Sequence, residues 1–80
     1  MTFKIYGRRY DVNPEQLTDL MANVEPDHRD NMRYFVIIGK HRYPIKQVIS
    51  RIVNLPTAAF NSQMAYSILT RLGLEIEKAS

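Results

Sequence analysis

The sequence of 80 residues contains no cysteine. A chain without cysteine has no disulfide framework, no thiolate zinc site and no cysteine nucleophile. The longest purely apolar run, residues 34–38, is far shorter than the roughly 20 residues of a membrane-spanning helix. The first residues also have no apolar segment of the kind found in signal peptides. The sequence therefore predicts a soluble, cytoplasmic protein that makes no membrane contact.

Patterns that carry catalysis or bind metals are also scarce. The sequence has two histidines, no glycine-rich phosphate loop and no nucleophile elbow. His28 lies among carboxylates in residues 25–30, but this segment lacks the length, the ligand spacing and the central glycine of a calcium loop. His41 lies in a basic turn without a carboxylate to orient it. We therefore predict no enzyme activity, no metal and no cofactor.

Acidic residues are missing from residues 31–74. Six basic residues fall in this segment: Arg33, Lys40, Arg42, Lys46, Arg51 and Arg71. Because no opposite charge is interspersed, the segment predicts one basic face opposite a more acidic one. A basic face favours an anionic partner, most often nucleic acid. The alternative is that the charge distribution arises by chance and serves solubility.

Alternation of apolar and polar residues, together with turn and cap residues, predicts an α+β fold in a single domain over residues 1–80. The predicted fold is a small, largely antiparallel sheet with three helices packed on one face. The predicted elements are strands over 2–6 and 10–12, a helix over 14–23, an exposed loop over 25–31, strands over 33–38 and 42–43, a helix over 44–53, a last helix ending before Gly73, and a strand over 74–77.

Helix caps can be assigned from residue types. Asn13 and Gln16 have the spacing of a capping box, and Pro14 stands at the first helical position between them. For the last helix, the pattern leaves two caps open, Asn61 or Ser62.

Basic residues cluster in two turns that contain glycine. Arg8 and Arg9 follow Gly7, and the second turn contains Lys40, His41 and Arg42, with Lys46 in the first turn of the next helix. Surface turns commonly present side chains to phosphate groups. A lysine in the first turn of a helix opposes the helix dipole, which indicates a reason for it other than stability. We predict that these residues contact the phosphate backbone of DNA.

The start of the last helix is a second candidate surface. Asn61, Ser62, Gln63 and Tyr66 carry groups that hydrogen-bond to base edges or phosphates, although a cap and a solvated helix explain the first three equally well. Tyr34, Tyr43 and Tyr66 have rings that can stack on a base, but tyrosines beside a strand usually complete a core.

A resemblance to a known family extends over residues 33–77. Residues 35–50 read Phe-Val-Ile-Ile-Gly-Lys-His-Arg-Tyr-Pro-Ile-Lys-Gln-Val-Ile-Ser, and Leu55-Pro56, Phe60-Asn61-Ser62 and Leu72-Gly73-Leu74-Glu75-Ile76 follow. This pattern resembles the N-terminal module of modification-dependent restriction endonucleases of the McrA type. The resemblance implies a role in contacting or targeting DNA for Lys40, Arg42, Tyr43, Lys46 and Ser62. It does not imply cleavage, because the catalytic residues of the accompanying nuclease domain have no counterpart in this sequence.

Two other interpretations remain open. The order helix, Leu55-Pro56, helix and strand resembles a winged helix-turn-helix regulator, although the connection is longer than the usual turn of about 3–4 residues. The chain also has the size of a small inhibitor or adaptor that binds an acidic protein surface. Edge strands over 2–6 or 74–77 would additionally allow a homodimer.

Overall fold

The described chain has the α+β fold that the sequence predicts. A computed structural model describes residues 2–26 and 33–78. Its elements, in chain order, are β1 (Thr2–Ile5), β2 (Arg8–Asp11), α1 (Pro14–Leu20), β3 (Tyr34–Ile38), β4 (His41–Pro44), α2 (Ile45–Val53), a 3₁₀ turn (Thr57–Ala59), α3 (Ser62–Arg71) and β5 (Ile76–Lys78). The loop predicted over 25–31, with His28, lies mostly outside the described residues.

The strands form two antiparallel sheets, whereas the sequence predicts one. β1 pairs with β2, and a second sheet has the order β4-β3-β5 with β3 in the centre. Alternation of apolar and polar residues identifies a strand but does not show which strand it pairs with, so the division into two sheets is a tertiary result. The pairing of β5 with β3 brings the end of the described chain beside its most apolar strand.

The first hairpin turns earlier than the sequence predicts. Tyr6 and Gly7 both have a positive φ, of 52° and 78°, as a two-residue type I′ turn requires. β2 therefore begins at Arg8 instead of residue 10, and Arg8 and Arg9 lie in a strand rather than in the turn. Because strand side chains alternate, these two arginines point to opposite faces of the hairpin.

The first helix begins as predicted and ends early. The Gln16 backbone N–H donates to Asn13 Oδ1 at 2.8 Å, and the Asn13 N–H donates to Gln16 Oε1 at 3.0 Å, which completes the capping box. α1 ends at Leu20 instead of residue 23. The N–H of Val24 bonds to the carbonyl of Met21 three residues back, so the chain tightens into turns there.

The last helix has well-defined ends. Asn61 is its cap, because its side chain accepts the Met64 N–H at 2.8 Å, and this result excludes Ser62. Gly73, with a φ of 83°, follows the helix at the predicted position. The N–H of Leu74 bonds to the carbonyl of Leu69 at 3.2 Å, a bond typical of the Schellman motif.

One hydrophobic core joins the helices to one face of the three-stranded sheet. Val36 and Ile38 of β3 point into it, together with Phe3 and Ile5 of β1. The helices contribute Leu17, Ile45, Val48, Ile49, Val53, Ala65, Ile68 and Leu69. Because the buried residues of α3 all lie on one side, its opposite side is left exposed beside the β1–β2 hairpin.

Candidate nucleic-acid interface

Two basic side chains lie directly opposite each other on the β1–β2 hairpin. Lys4 pairs with Arg9 across the hairpin, and both residues are exposed. Opposed residues hold their Cβ atoms about 4.5–5.5 Å apart, a relation in which like charges destabilise the sheet. Asp11 lies on the same face, opposite Thr2 and two pairs further from the turn. The hairpin therefore concentrates positive charge at the end near the turn.

Lys4 also lines a groove against α3. The groove has a volume of about 390 Å³, and Arg71, Gln63, Ser67 and the cap residue Asn61 are among its other lining residues. Their polar groups are amides, a hydroxyl, an ammonium and a guanidinium, and none of the described lining residues carries a carboxylate. These groups can neutralise and hydrogen-bond an anion that enters the groove.

The exposed side of α3 is polar along its whole length. Its exposed residues are Ser62, Gln63, Tyr66, Ser67, Thr70 and Arg71. These residues form three adjacent pairs that are four positions apart, and such a spacing places them on one side of the helix. The only charge among them is positive. This side of α3, the Lys4 groove and Arg9 together form a surface that we call the α3 face.

An aromatic cleft opens at the N-terminal end of the α3 face. Tyr34, Tyr66, Ser62 and Gln63 line a space of about 260 Å³. The rings of Tyr34 and Tyr66 meet edge to face, with centroids 5.4 Å apart and an interplanar angle of 69°. Tyr66 is 44% exposed although it is a large aromatic residue. Gln63 lines both this cleft and the Lys4 groove, so the two adjoin.

The residues predicted at the second glycine turn are not equivalent. Lys40 and His41 are exposed, and Gly39 has the positive φ, 62°, that a tight hairpin turn needs at its first position. Arg42 is already partnered, because its Nε donates to Glu77 Oε1 at 3.0 Å. Its guanidinium also lies 4.4 Å from the centre of the Phe35 ring. Arg42 is therefore less available to an external anion than its sequence context indicates.

The prediction that Tyr43 contacts DNA is wrong. Tyr43 is 1% exposed and belongs to the core. Its hydroxyl lies 2.9 Å from the carbonyl oxygens of both Met21 and Val24, and its one proton is shared between these two acceptors. The side chain therefore ties β4 to the end of α1 and has no face open to a ligand. The reason is the strand register, which points Tyr43 inward opposite Val36.

The helical and cap residues that were predicted to contact DNA differ in their exposure. Lys46 is half-buried in the first turn of α2, which begins after Pro44. Ser62 and Gln63 are exposed on the α3 face. Asn61 has its side-chain oxygen engaged as the helix cap, which leaves its amide N–H groups for other partners.

Three basic residues near the α3 face were not predicted as DNA contacts, although Arg71 belongs to the predicted basic face. Lys4 and Arg71 line the groove of the α3 face, and Lys78 is the cross-strand neighbour of Tyr34. The alternation of β1 does assign Lys4 to the outward side of the hairpin, and this signal was available in the sequence. The approach of β1 to α3 is a tertiary contact between distant segments, which no local pattern reports.

In residues 2–26 and 33–78, no helix combines the length and the apolar character needed to cross a membrane. In the same ranges, no three side chains of the His, Cys, Asp and Glu types form a group able to hold a metal ion.

Comparison with known proteins identifies a family for this chain. No curated protein and no solved structure matches it. The sequence model of the SCO5918-like family matches residues 4–80, which include every element of the fold except the first residues of β1. Because the match extends over nearly the whole chain, the protein belongs to the SCO5918-like family.

Proposed function

We propose that this protein is a non-catalytic DNA-binding module that holds the phosphate backbone against its α3 face. The observation that carries the proposal is the pair of opposed cations Lys4 and Arg9, beside a groove that also contains Arg71. Like charges in directly opposed positions cost folding free energy, whereas a polyanion bound between them turns the same arrangement into a favourable one.

The chemistry of the α3 face supports binding rather than catalysis. Its described polar side chains are amides, hydroxyls, cations and a phenol, and Met64 and Ile68 add apolar surface within the groove. Amides and hydroxyls hydrogen-bond to phosphate oxygens and base edges, and lysine and arginine neutralise phosphate charge. The basic segment over 31–74 and the resemblance to DNA-targeting modules of McrA-type endonucleases support the same partner. In this proposal Lys40 and His41 lie in a separate exposed turn, and Arg42 has a smaller role because Glu77 neutralises it.

The test is fluorescence anisotropy with labelled DNA over a series of salt concentrations. We expect Lys4→Ala and Arg71→Ala each to weaken binding to all sequences similarly and to lower the slope of log K against log salt by about one. Lys40→Ala is the matched control, since it removes an exposed lysine from the other hairpin turn. We expect it to have a smaller effect than Lys4→Ala.

A larger loss from Lys40→Ala than from Lys4→Ala would move the phosphate contacts to the β3–β4 turn that the sequence first indicates. If the wild-type protein shows no salt-dependent binding at low ionic strength, the proposed function is wrong.

A second candidate function is binding of another protein, favoured by the outward face of the three-stranded sheet. Phe35 and Ile37 are half-buried but lie outside the hydrophobic core, on the sheet face opposite to Val36. Arg42 covers part of Phe35. An apolar face bordered by the Arg42–Glu77 ion pair suits a partner protein with an apolar surface patch. A captured protein partner whose binding Ile37→Lys abolishes, with no DNA affinity in the wild type, would favour this function.

A further inference from the structure

We propose that the aromatic cleft of Tyr34 and Tyr66 captures an unpaired base, so that the preferred ligand is single-stranded nucleic acid. This inference rests on the proposed function and specifies its ligand. The cleft adjoins the Lys4 groove through Gln63. The sugar-phosphate backbone of the nucleic acid would therefore lie against the cations of the groove, while one base turns away from the backbone and enters the cleft.

The ring geometry leaves aromatic surface free for a base. An edge-to-face pair, such as Tyr34 and Tyr66 at 5.4 Å and 69°, leaves at least one face of each ring clear of the other ring. Tyr66 is 44% exposed, so its free surface is open to solvent. Bases stack on such rings with little dependence on sequence, because every base has a π face.

The size and the lining of the cleft suit one planar group. At about 260 Å³ it is smaller than the clefts of about 300–1,000 Å³ that enclose whole small-molecule ligands. Two of its four lining residues are aromatic, and the Ser62 hydroxyl and the Gln63 amide are its polar side-chain groups besides the two phenols. An amide that both donates and accepts hydrogen bonds matches the edge of a base.

Cations lie on two sides of the cleft. Lys4 and Arg71 lie in the adjoining groove. Lys78 is directly opposite Tyr34 in the β3–β5 pair, so its side chain leaves the sheet on the same face as the Tyr34 ring. A nucleotide with its base in the cleft would thus have positive charge beside the phosphates that precede and follow it. The bases of a duplex are already stacked and paired, and they cannot enter without being unpaired.

The closing experiment compares ligands of equal length at fixed low salt. A dT 12-mer, an rU 12-mer and an abasic 12-mer have equal charge, and a 12-base-pair duplex has twice that charge. We expect the dT and rU strands to bind at least tenfold more tightly than the abasic strand, and more tightly than the duplex. The ratio of dT to rU affinity identifies which sugar is preferred. Because the chain has five tyrosines and no tryptophan, bound bases should also quench its tyrosine fluorescence.

Variants separate stacking from charge. Tyr66→Ala should bring dT affinity down to that of the abasic strand while leaving the salt slope unchanged, and Tyr66→Phe should retain stacking. Tyr6→Asn removes another exposed tyrosine, which lies in the β1–β2 turn, and should leave dT affinity unaltered.

Three results would overturn the inference, and they are distinguishable. If abasic, single-stranded and duplex ligands bind equally well and with a steep salt slope, the protein binds DNA through phosphates alone and base capture is wrong. If none of the ligands binds, the proposed function itself fails and the inference fails with it. Equal losses for Tyr66→Ala and Tyr66→Phe would also contradict stacking.

Discussion

Arg42 is bound to Glu77 by a hydrogen bond of 3.0 Å between its Nε and the carboxylate Oε1, which joins the two outer strands of the three-stranded sheet across β3. Both side chains are about half exposed, at 50% and 45%. Arg42 is therefore not a free positive charge, although residues 31–74 contain no acidic residue, because Glu77 from outside that segment neutralises it.

Loss of this pair should have only a small effect on stability. We expect Glu77→Gln to lower the free energy of unfolding by about 0.2–1 kcal/mol, since exposed ion pairs contribute little. The same substitution releases the charge of Arg42 and should raise affinity for DNA slightly. Urea denaturation and anisotropy at low salt measure the two effects. A loss of affinity in Glu77→Gln would show that the carboxylate itself takes part in binding.

Reversal of charge at Lys4 should separate stability from binding. Lys4→Glu replaces a repulsive cross-strand relation with Arg9 by an attractive one, and we expect the free energy of unfolding to rise by about 0.2–1 kcal/mol. DNA binding should fall at least tenfold, because the groove gains a negative charge. Thermal denaturation and anisotropy on the same preparation provide both values. Increased stability with unchanged affinity for DNA would show that Lys4 is not part of the DNA interface.

Removal of the Tyr43 hydroxyl should destabilise the protein, whereas removal of the Tyr10 hydroxyl should not. Tyr43→Phe removes the buried hydroxyl that donates to the carbonyls of Met21 and Val24. We expect this change to lower the free energy of unfolding by about 1–3 kcal/mol. The buried hydroxyl oxygen of Tyr10 has no hydrogen-bond partner among the described residues. Tyr10→Phe should therefore leave stability unchanged or raise it by about 1 kcal/mol. Urea denaturation of both variants tests the contrast, and similar losses in both would contradict it.

The backbone of the first hairpin turn is strained at Tyr6, and a substitution at this position can relieve the strain. Tyr6 has a φ of 52° and a side chain that is 70% exposed, so it gains little packing for an unfavourable backbone conformation. Asparagine tolerates this conformation and is preferred in type I′ turns. We expect Tyr6→Asn to raise the melting temperature by a few degrees, corresponding to about 0.5–1 kcal/mol. A lower melting temperature would show that the Tyr6 ring makes a stabilising contact.

The features that the sequence determined by itself are local. The capping box of Asn13 and Gln16, the amphipathic pattern of α2 and the apolar run of β3 depend on residues a few positions apart. All three elements form in these segments, although α1 ends three residues before its predicted end. The α+β class follows from these elements and was predicted correctly. The exposure of Lys40, Ser62 and Gln63 also agrees with their sequence context.

The tertiary structure alone decided which of these elements meet. The strand register turned Tyr43 into the core, the return of β5 to β3 brought Glu77 to Arg42, and the approach of β1 to α3 placed Lys4 in one groove with Arg71. Each of these contacts joins residues that are distant in the chain. They depend on packing and strand pairing over the whole molecule, because propensity and periodicity act only between neighbours.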